Sequence, residues 1–438
     1  MVRYTTFLAA LGVFAACAAP CLALEISVPN VAVIDRPVET AIRATPGSTV
    51  HVALQAQRYG MTFAADATYR VPHTGVLNLS EAAPLSGTYQ GVNAMGLFWS
   101  AMPNGPPTQG FTFERDTDVR PIPYRVTASS GMQTATAQGT RLFVADDVER
   151  RVVDGPGLIA TLYRNKRAGC HPGVVVLGGS EGGVPEEQAA VLASHDLTTL
   201  ALAYYGAPGL TRSLTNVPIE IVQRAMALLS RDPSVCPGGV ALFGGSKGAE
   251  LALLAASTFG GVRGVVALKP SSVVFSGLFG DSTTPQSSWS YGGKPVPFAN
   301  GAVPNSVTVA VAKQQAVHDR VSYVADYMAQ IQNNTDAAAI ISVERIAAPL
   351  LLAAGGADGL WPSQYMAEQI ERRRAMMTKR YADRLLLFPD AGHLIGIPYL
   401  FAKAELAHNE LDVGGTAAAD EAASEALWPV VVAFLQRD

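Results

Sequence analysis

A serine, an aspartate and a histidine stand in this chain in an order that suits acyl chemistry on a parallel sheet. Ser246 lies in Gly244-Gly245-Ser246-Lys247-Gly248, after the apolar run Val240–Phe243 and before an Ala/Leu-rich stretch reaching Leu254. A serine hydroxyl is a weak nucleophile, so it needs a base to take its proton and an acid to orient that base. The G-x-S-x-G turn between a strand and a helix holds the serine in a strained conformation at the positive end of the helix. Glycines at 244 and 248 let strand and helix approach without side-chain clash. The five-residue pattern arises readily by chance in a chain with 41 glycines. Its weight comes from the partners that follow.

The expected strand Leu350–Ala354 runs into Gly355-Gly356-Ala357-Asp358-Gly359, and the expected strand Leu385–Phe388 runs into Pro389-Asp390-Ala391-Gly392-His393. Asp358 and His393 thus each follow the carboxyl end of a strand, in the chain order Ser, Asp, His. Singly, each reads as an ordinary loop residue; three in order do not. Asp390 competes as the acid, but it shares a tight loop with His393 and fits a turn role. His51, His73, His171, His195, His318 and His408 fall where no base is required: in the β region, before a strand, in helices or in an insertion.

The tetrahedral oxyanion needs two N–H donors. The amide of Lys247, directly after the serine, is one. The other is expected from Gly178-Gly179-Ser180-Glu181-Gly182-Gly183, after the strand Val174–Leu177, with Gly179 or Ser180 as donor. This loop lacks the spacings of phosphate-binding glycine loops. Glu181 either shapes the pocket or is a solvated charge. No His/Cys/carboxylate cluster has metal-ligand spacing, and no cofactor is expected.

The elements that must position these residues change character near residue 148. Residues 24–147 carry short alternating runs (Ile26–Val33, Thr49–Ala56, Gly75–Leu79, Tyr124–Ala128) separated by turn signals, the pattern of a small all-β sandwich. Residues 148–438 alternate. The strands Val174–Leu177, Thr198–Ala203, Val240–Phe243, Val262–Leu268, Leu350–Ala354 and Leu385–Phe388 are interleaved with helices at Pro185–Ser194, Ile219–Ser230, Lys247–Thr258, Gln364–Met377 and Glu421–Gln436. Such alternation means a mostly parallel sheet covered on both faces, with its chemistry at the carboxyl ends of the strands. Gly280–Asn305 breaks the alternation; with the helix expected around Val321–Ile331, it reads as a lid-like insertion over about 280–340.

Length and charge narrow the partners. The 438 residues suit two domains, and a net charge of −4 with 16% charged residues leaves no basic face for nucleic acid. Arg3, the apolar Phe7–Ala19 and Cys21-Leu22-Ala23 form a leader pattern over residues 1–23, so export to the periplasm or medium is expected. No later stretch reaches the ~18 apolar residues of a membrane span. Beyond the leader stand two cysteines, Cys170 and Cys236, each four residues before the first valine of an expected strand. If those strands are parallel neighbours the thiols meet, and a disulfide is expected in an exported protein.

Together these residues resemble the family of acyl-CoA thioesterases and bile acid-CoA:amino acid N-acyltransferase. The resemblance rests on Gly87-Thr88-Tyr89-Gln90-Gly91, Ala94–Ser100, Leu202-Ala203-Tyr204-Tyr205, Gly245–Glu250, Asp358-Gly359-Leu360-Trp361-Pro362-Ser363 and Gly392–Tyr399. It implies an immunoglobulin-like N-terminal domain before an α/β-hydrolase domain. It also implies Ser246 as nucleophile, Asp358 as orienting acid and His393 as base, with Trp361 beside the pocket. The implied reaction is hydrolysis of an acyl thioester through an acyl-enzyme. Family members that transfer the acyl group to an amino acid use cysteine as nucleophile, so Ser246 favours hydrolysis. Two other readings stand beside this one: an exported hydrolase of carboxylic esters or lactones, like the dienelactone hydrolases, and a non-catalytic binding protein.

Overall fold

The computed structural model describes residues 22–104, 118–155, 157–282, 284–317, 320–401 and 411–437. Most of the expected leader, His318 and His408 lie outside the described residues.

The N-terminal part is an immunoglobulin-like sandwich. Its smaller sheet pairs Glu25–Ser27, Ala41–Arg43 and Val76–Asn78 antiparallel. The larger one is built on Gln133–Leu142, Ile122–Ser130, Thr49–Arg58 and Met61–Arg70, paired antiparallel in that order. Alternation decides the packing: Val50, Val52, Leu54 and Ala56 point into the core while His51, Gln55 and Gln57 face out. The stretch expected as one run, Ile26–Val33, is two short strands in different sheets, because Pro29 and Asn30 interrupt it. Met61–Arg70 mixes strand formers (Thr62, Phe63, Thr68, Tyr69) with three alanines and Asp66, and it pairs along its whole length with Thr49–Arg58.

The second part is one eight-stranded sheet. Its strands are β1 (Val148–Gly155), β2 (Leu158–Asn165), β3 (His171–Leu177), β4 (Thr198–Ala203), β5 (Val235–Gly245), β6 (Val262–Leu268), β7 (Leu350–Gly355) and β8 (Arg384–Phe388). They lie in the order β1-β2-β4-β3-β5-β6-β7-β8. The pairs β1–β2 and β2–β4 are antiparallel, and every pairing from β4 to β8 is parallel. The helices are α1 (Glu186–Ala193), α2 (Glu220–Leu229), α3 (Lys247–Thr258), α4 (Asn305–Ala316), α5 (Val324–Gln332), α6 (Ser363–Ala375) and α7 (Ala417–Leu435). Adjacent residues of β3 serve opposite faces. Val174 and Val176 join the core with α1 and α7, and Val175 and Leu177 join the core with α2 and α3. A strand covered on both faces is apolar except where a polar side chain finds a partner: every residue of β4 and β7 is buried, and the hydroxyls of Thr198 and Thr199 in β4 meet Ser234 Oγ and Ala189 O.

The segment after β6 is only partly an irregular insertion. Trp289–Tyr291 pairs with Val217–Pro218 and with Lys294–Pro295, and Trp289 is wholly buried in the α2/α3 core. The segment is therefore anchored where sequence periodicity shows nothing. α4, in contrast, buries no residue.

The two parts share one apolar core, in which Phe63 stacks on Phe401 at 4.3 Å between centroids. Polar contacts cross the same boundary. Arg58 pairs with Glu187, and Trp428 donates its indole N–H to Asp35 Oδ2 at 2.7 Å. At the amino ends of β3 and β5, Cys170 and Cys236 are joined as a disulfide, their Cα atoms 4.8 Å apart. Among the described residues no helix is long and apolar enough to cross a membrane.

Candidate active site

Ser246 occupies the turn between β5 and α3 with φ 54° and ψ −121°. For a residue with a Cβ this conformation costs about 1–3 kcal/mol, and it persists because the surroundings enforce it. The Ser246 amide is tied to Leu268 O at the end of β6 (2.9 Å), and its carbonyl accepts the first helical amides, from Ala249 and Glu250. A Cβ at Gly248 would lie 2.2 Å from Gly178 O, and one at Gly244 2.2 Å from Gly248 O. Only glycine permits this approach of elbow, helix and glycine loop.

His393 Nε2 meets Ser246 Oγ at 3.1 Å, and His393 Nδ1 meets Asp358 Oδ2 at 2.9 Å. The three residues come from the loops after β5, β7 and β8 at the carboxyl edge of the sheet, where β6 separates β5 from the neighbouring pair β7 and β8. Asp358 and His393 are both buried. Asp358 Oδ1 accepts the amides of Leu360 (3.0 Å) and Trp361 (3.2 Å), which fixes its carboxylate plane. The histidine loop is pinned by His393 N–H on Val413 O and by Gly392 N–H on Asp420 Oδ1. Asp390 is exposed in the turn after β8, while Asp358 holds the imidazole.

Of the oxyanion candidates, Lys247 begins α3, where amides have no intrahelical acceptor. The amide of Gly179 donates to Glu181 Oε1 at 2.6 Å, so the Glu181 carboxylate is folded back on its own loop. The Ser180 carbonyl accepts the Tyr205 hydroxyl. Trp361 is buried edge-on to His393 at 5.9 Å, in an aromatic group with Phe275 and Tyr327. Phe275 and Tyr327 come from the segment between β6 and β7, so this segment walls the site. Among the described residues no group of three or more His, Cys, Asp or Glu could hold a metal ion.

Several residues here carry no signal in sequence spacing. The side chain of Lys247 is buried; its ammonium binds Glu250 Oε2 (3.1 Å) and Ser288 Oγ (2.9 Å). Glu250 also accepts the Trp289 indole N–H (2.7 Å) and the Phe275 amide (3.2 Å). Desolvation pushes the Lys247 ammonium below its ordinary pKa and the Glu250 carboxyl above its own, and their mutual attraction opposes both shifts. The pair therefore clamps the base of the segment after β6 to the first turn of α3. Lys269, at φ 49° just past β6, donates to Ile395 O at 2.9 Å beside the histidine loop. The only signals that could have pointed to Lys247 and Glu250 were charges on an otherwise apolar helix.

A sheet of this order, with a serine elbow after its fifth strand, is an α/β-hydrolase fold. Residues 35–155 match the acyl-CoA thioester hydrolase/BAAT N-terminal region, and residues 217–438 match the BAAT/acyl-CoA thioester hydrolase C-terminal domain; the chain belongs to this family. The mouse mitochondrial acyl-coenzyme A thioesterase 2 is 29% identical over 382 residues, covering 83% of this chain and 77% of that protein. Mouse acyl-coenzyme A thioesterase 5 is 27% identical over 417 residues, covering 92% of this chain and 93% of that protein. Among solved structures, an esterase from Pyrobaculum calidifontis superposes with a TM-score of 0.38 at 16% identity, covering 66% of this chain and 85% of that one.

Proposed function

We propose that the protein hydrolyses acyl thioesters of the acyl-CoA type through an acyl-enzyme on Ser246. The observation that carries this reading is the hydrogen-bonded line Ser246–His393–Asp358 at a strained elbow, in a chain whose curated relatives are acyl-coenzyme A thioesterases. His393 Nε2 takes the Ser246 proton as Oγ attacks the acyl carbonyl. The amide of Lys247 and an amide of the loop 178–183 hold the oxyanion. Collapse of the tetrahedral intermediate expels the thiolate, which takes the proton from the His393 imidazolium. A water then attacks the acyl-enzyme, again deprotonated by His393, and the acid leaves. Asp358 holds the imidazole in the tautomer that presents Nε2 as acceptor to Ser246.

A second reading keeps this machinery and changes the substrate to a carboxylic ester or lactone. The leader pattern and the joined Cys170 and Cys236 support an exported protein, away from the compartment where coenzyme A thioesters are made. One experiment separates the readings. The protein and its Ser246→Ala variant are assayed on acyl-CoA thioesters and p-nitrophenyl esters of matched chain length. Thioester turnover lost in the variant supports the first reading, and ester turnover alone supports the second. Absence of both, with no fluorophosphonate labelling of Ser246, sinks the hydrolase.

A further inference from the structure

The glycine loop and the amide of Lys247 lie on different elements, so something must set their separation. Tyr204, directly after β4, touches the loop from the sheet side. Its hydroxyl is shared between the Gly178 carbonyl (2.6 Å) and the Gly179 carbonyl (2.9 Å), while the neighbouring Tyr205 hydroxyl serves the Ser180 carbonyl. In a trans peptide the C=O of one residue and the N–H of the next point opposite ways. Holding the carbonyls of 178 and 179 on Tyr204 therefore turns the amides of Gly179 and Ser180 to the other side. That side already binds a negative oxygen, for the Gly179 amide holds the Glu181 carboxylate.

The Tyr204 ring continues the connection. It packs edge-on against Trp289 at 5.6 Å, Trp289 donates to Glu250, and Glu250 pairs with Lys247. An unbroken line of buried contacts thus joins the glycine loop to the residue that bears the first donor. Tyr204 is buried, and desolvation raises its pKa well above that of a free tyrosine, so it stays protonated and donates.

We propose that Tyr204 is a positioning residue of the oxyanion site, its hydroxyl orienting the amides of the 178–180 loop and its ring keying that loop to Lys247 through Trp289. This rests on the serine-hydrolase reading above.

The test is Tyr204→Phe, measured beside Ser246→Ala, with kcat and KM on the substrate that the panel identifies and affinity for a trifluoromethyl ketone that forms an oxyanion on the serine. The expected result is a kcat lower by about tenfold or more, KM within about twofold, and inhibitor affinity lost by the same factor as kcat. Unchanged kcat and inhibitor affinity would overturn the proposal, as would a rise in KM with inhibitor affinity intact. Should Tyr204→Phe fail to fold, Trp289→Phe, which keeps a ring against Tyr204 but removes the indole donor to Glu250 and so cuts the link to Lys247, is read by the same two outcomes. Full activity in Ser246→Ala would instead remove the serine mechanism on which the proposal stands, so the two failures are distinguishable.

Discussion

Ser363 Oγ donates to Asp358 Oδ2 at 2.6 Å, the same oxygen that faces His393 Nδ1 at 2.9 Å. Ser363 is the first residue of α6 and fully buried, so its hydroxyl spends its only proton on this carboxylate. Together with the amides of Leu360 and Trp361 it leaves Asp358 one orientation.

Asp358→Asn keeps the shape but removes the negative charge that selects the histidine tautomer; kcat should fall by about 10⁴ with the fold retained. Ser363→Ala removes one of the three donors that hold Asp358 besides His393, and its kcat should fall far less, by about tenfold. Steady-state kinetics on both variants checks this. Equal losses would mean that Ser363 has a larger part than orienting Asp358.

The Lys247–Glu250 pair makes a prediction of stability. Burial pushes Lys247 down and Glu250 up, so the interior resists both charges. By linkage the two groups pull stability in opposite directions with pH. Between the folded and ordinary pKa of Lys247, the unfolded chain binds more protons and stability rises with pH. Between the ordinary and folded pKa of Glu250, the folded chain binds more, and stability falls as pH rises. Lys247→Met alone strands the carboxylate and should destabilise by about 3–5 kcal/mol. Adding Glu250→Gln, which still accepts from Trp289, should recover most of that loss in denaturant titrations. A double variant no better than the single one would refute the account.

Joining Cys170 to Cys236 closes a separation of 66 residues at the amino ends of β3 and β5, opposite the site. The chain-entropy model assigns such a closure about 4 kcal/mol. Cys170→Ser with Cys236→Ser should therefore lower the unfolding free energy by up to about that amount and leave kcat of the folded enzyme unchanged. Denaturant unfolding with and without reductant, alongside kinetics, measures both.

Arg58 and Glu187 pair across the boundary between sandwich and sheet, both buried, inside a core that runs through both parts. Arg58→Met removes the guanidinium that faces a buried carboxylate and should cost about 3–5 kcal/mol. Because the core is shared, calorimetry should show one cooperative transition that moves down in the variant. Two separate transitions, with only the first one shifted, would show that the sandwich folds independently.

What the sequence determined by itself is local. The elbow was legible because Gly244 and Gly248 must be side-chain-free where strand and helix touch. Ser246, Asp358 and His393 were legible because each follows an apolar run that could only be a buried strand, and the parallel sheet brings such ends together. The cysteine pair was legible from matched offsets before two strands that proved to be parallel neighbours.

What the tertiary structure alone decided is pairing between distant polar groups. β1 carries Glu149, Arg150 and Arg151 and is not among the expected strands; β2 gives its backbone a partner. Trp289 sits in a stretch without periodicity; a pocket lined by Tyr204 and Glu250 buries it. Glu181 could have faced solvent or substrate, and the fold turns it onto the amide of Gly179. Periodicity reports which face of an element is apolar, but a buried polar group is placed by its partner. That partner is 39 residues away for Trp289 on Glu250 and 393 residues away for Trp428 on Asp35. Only the folded chain brings them within reach.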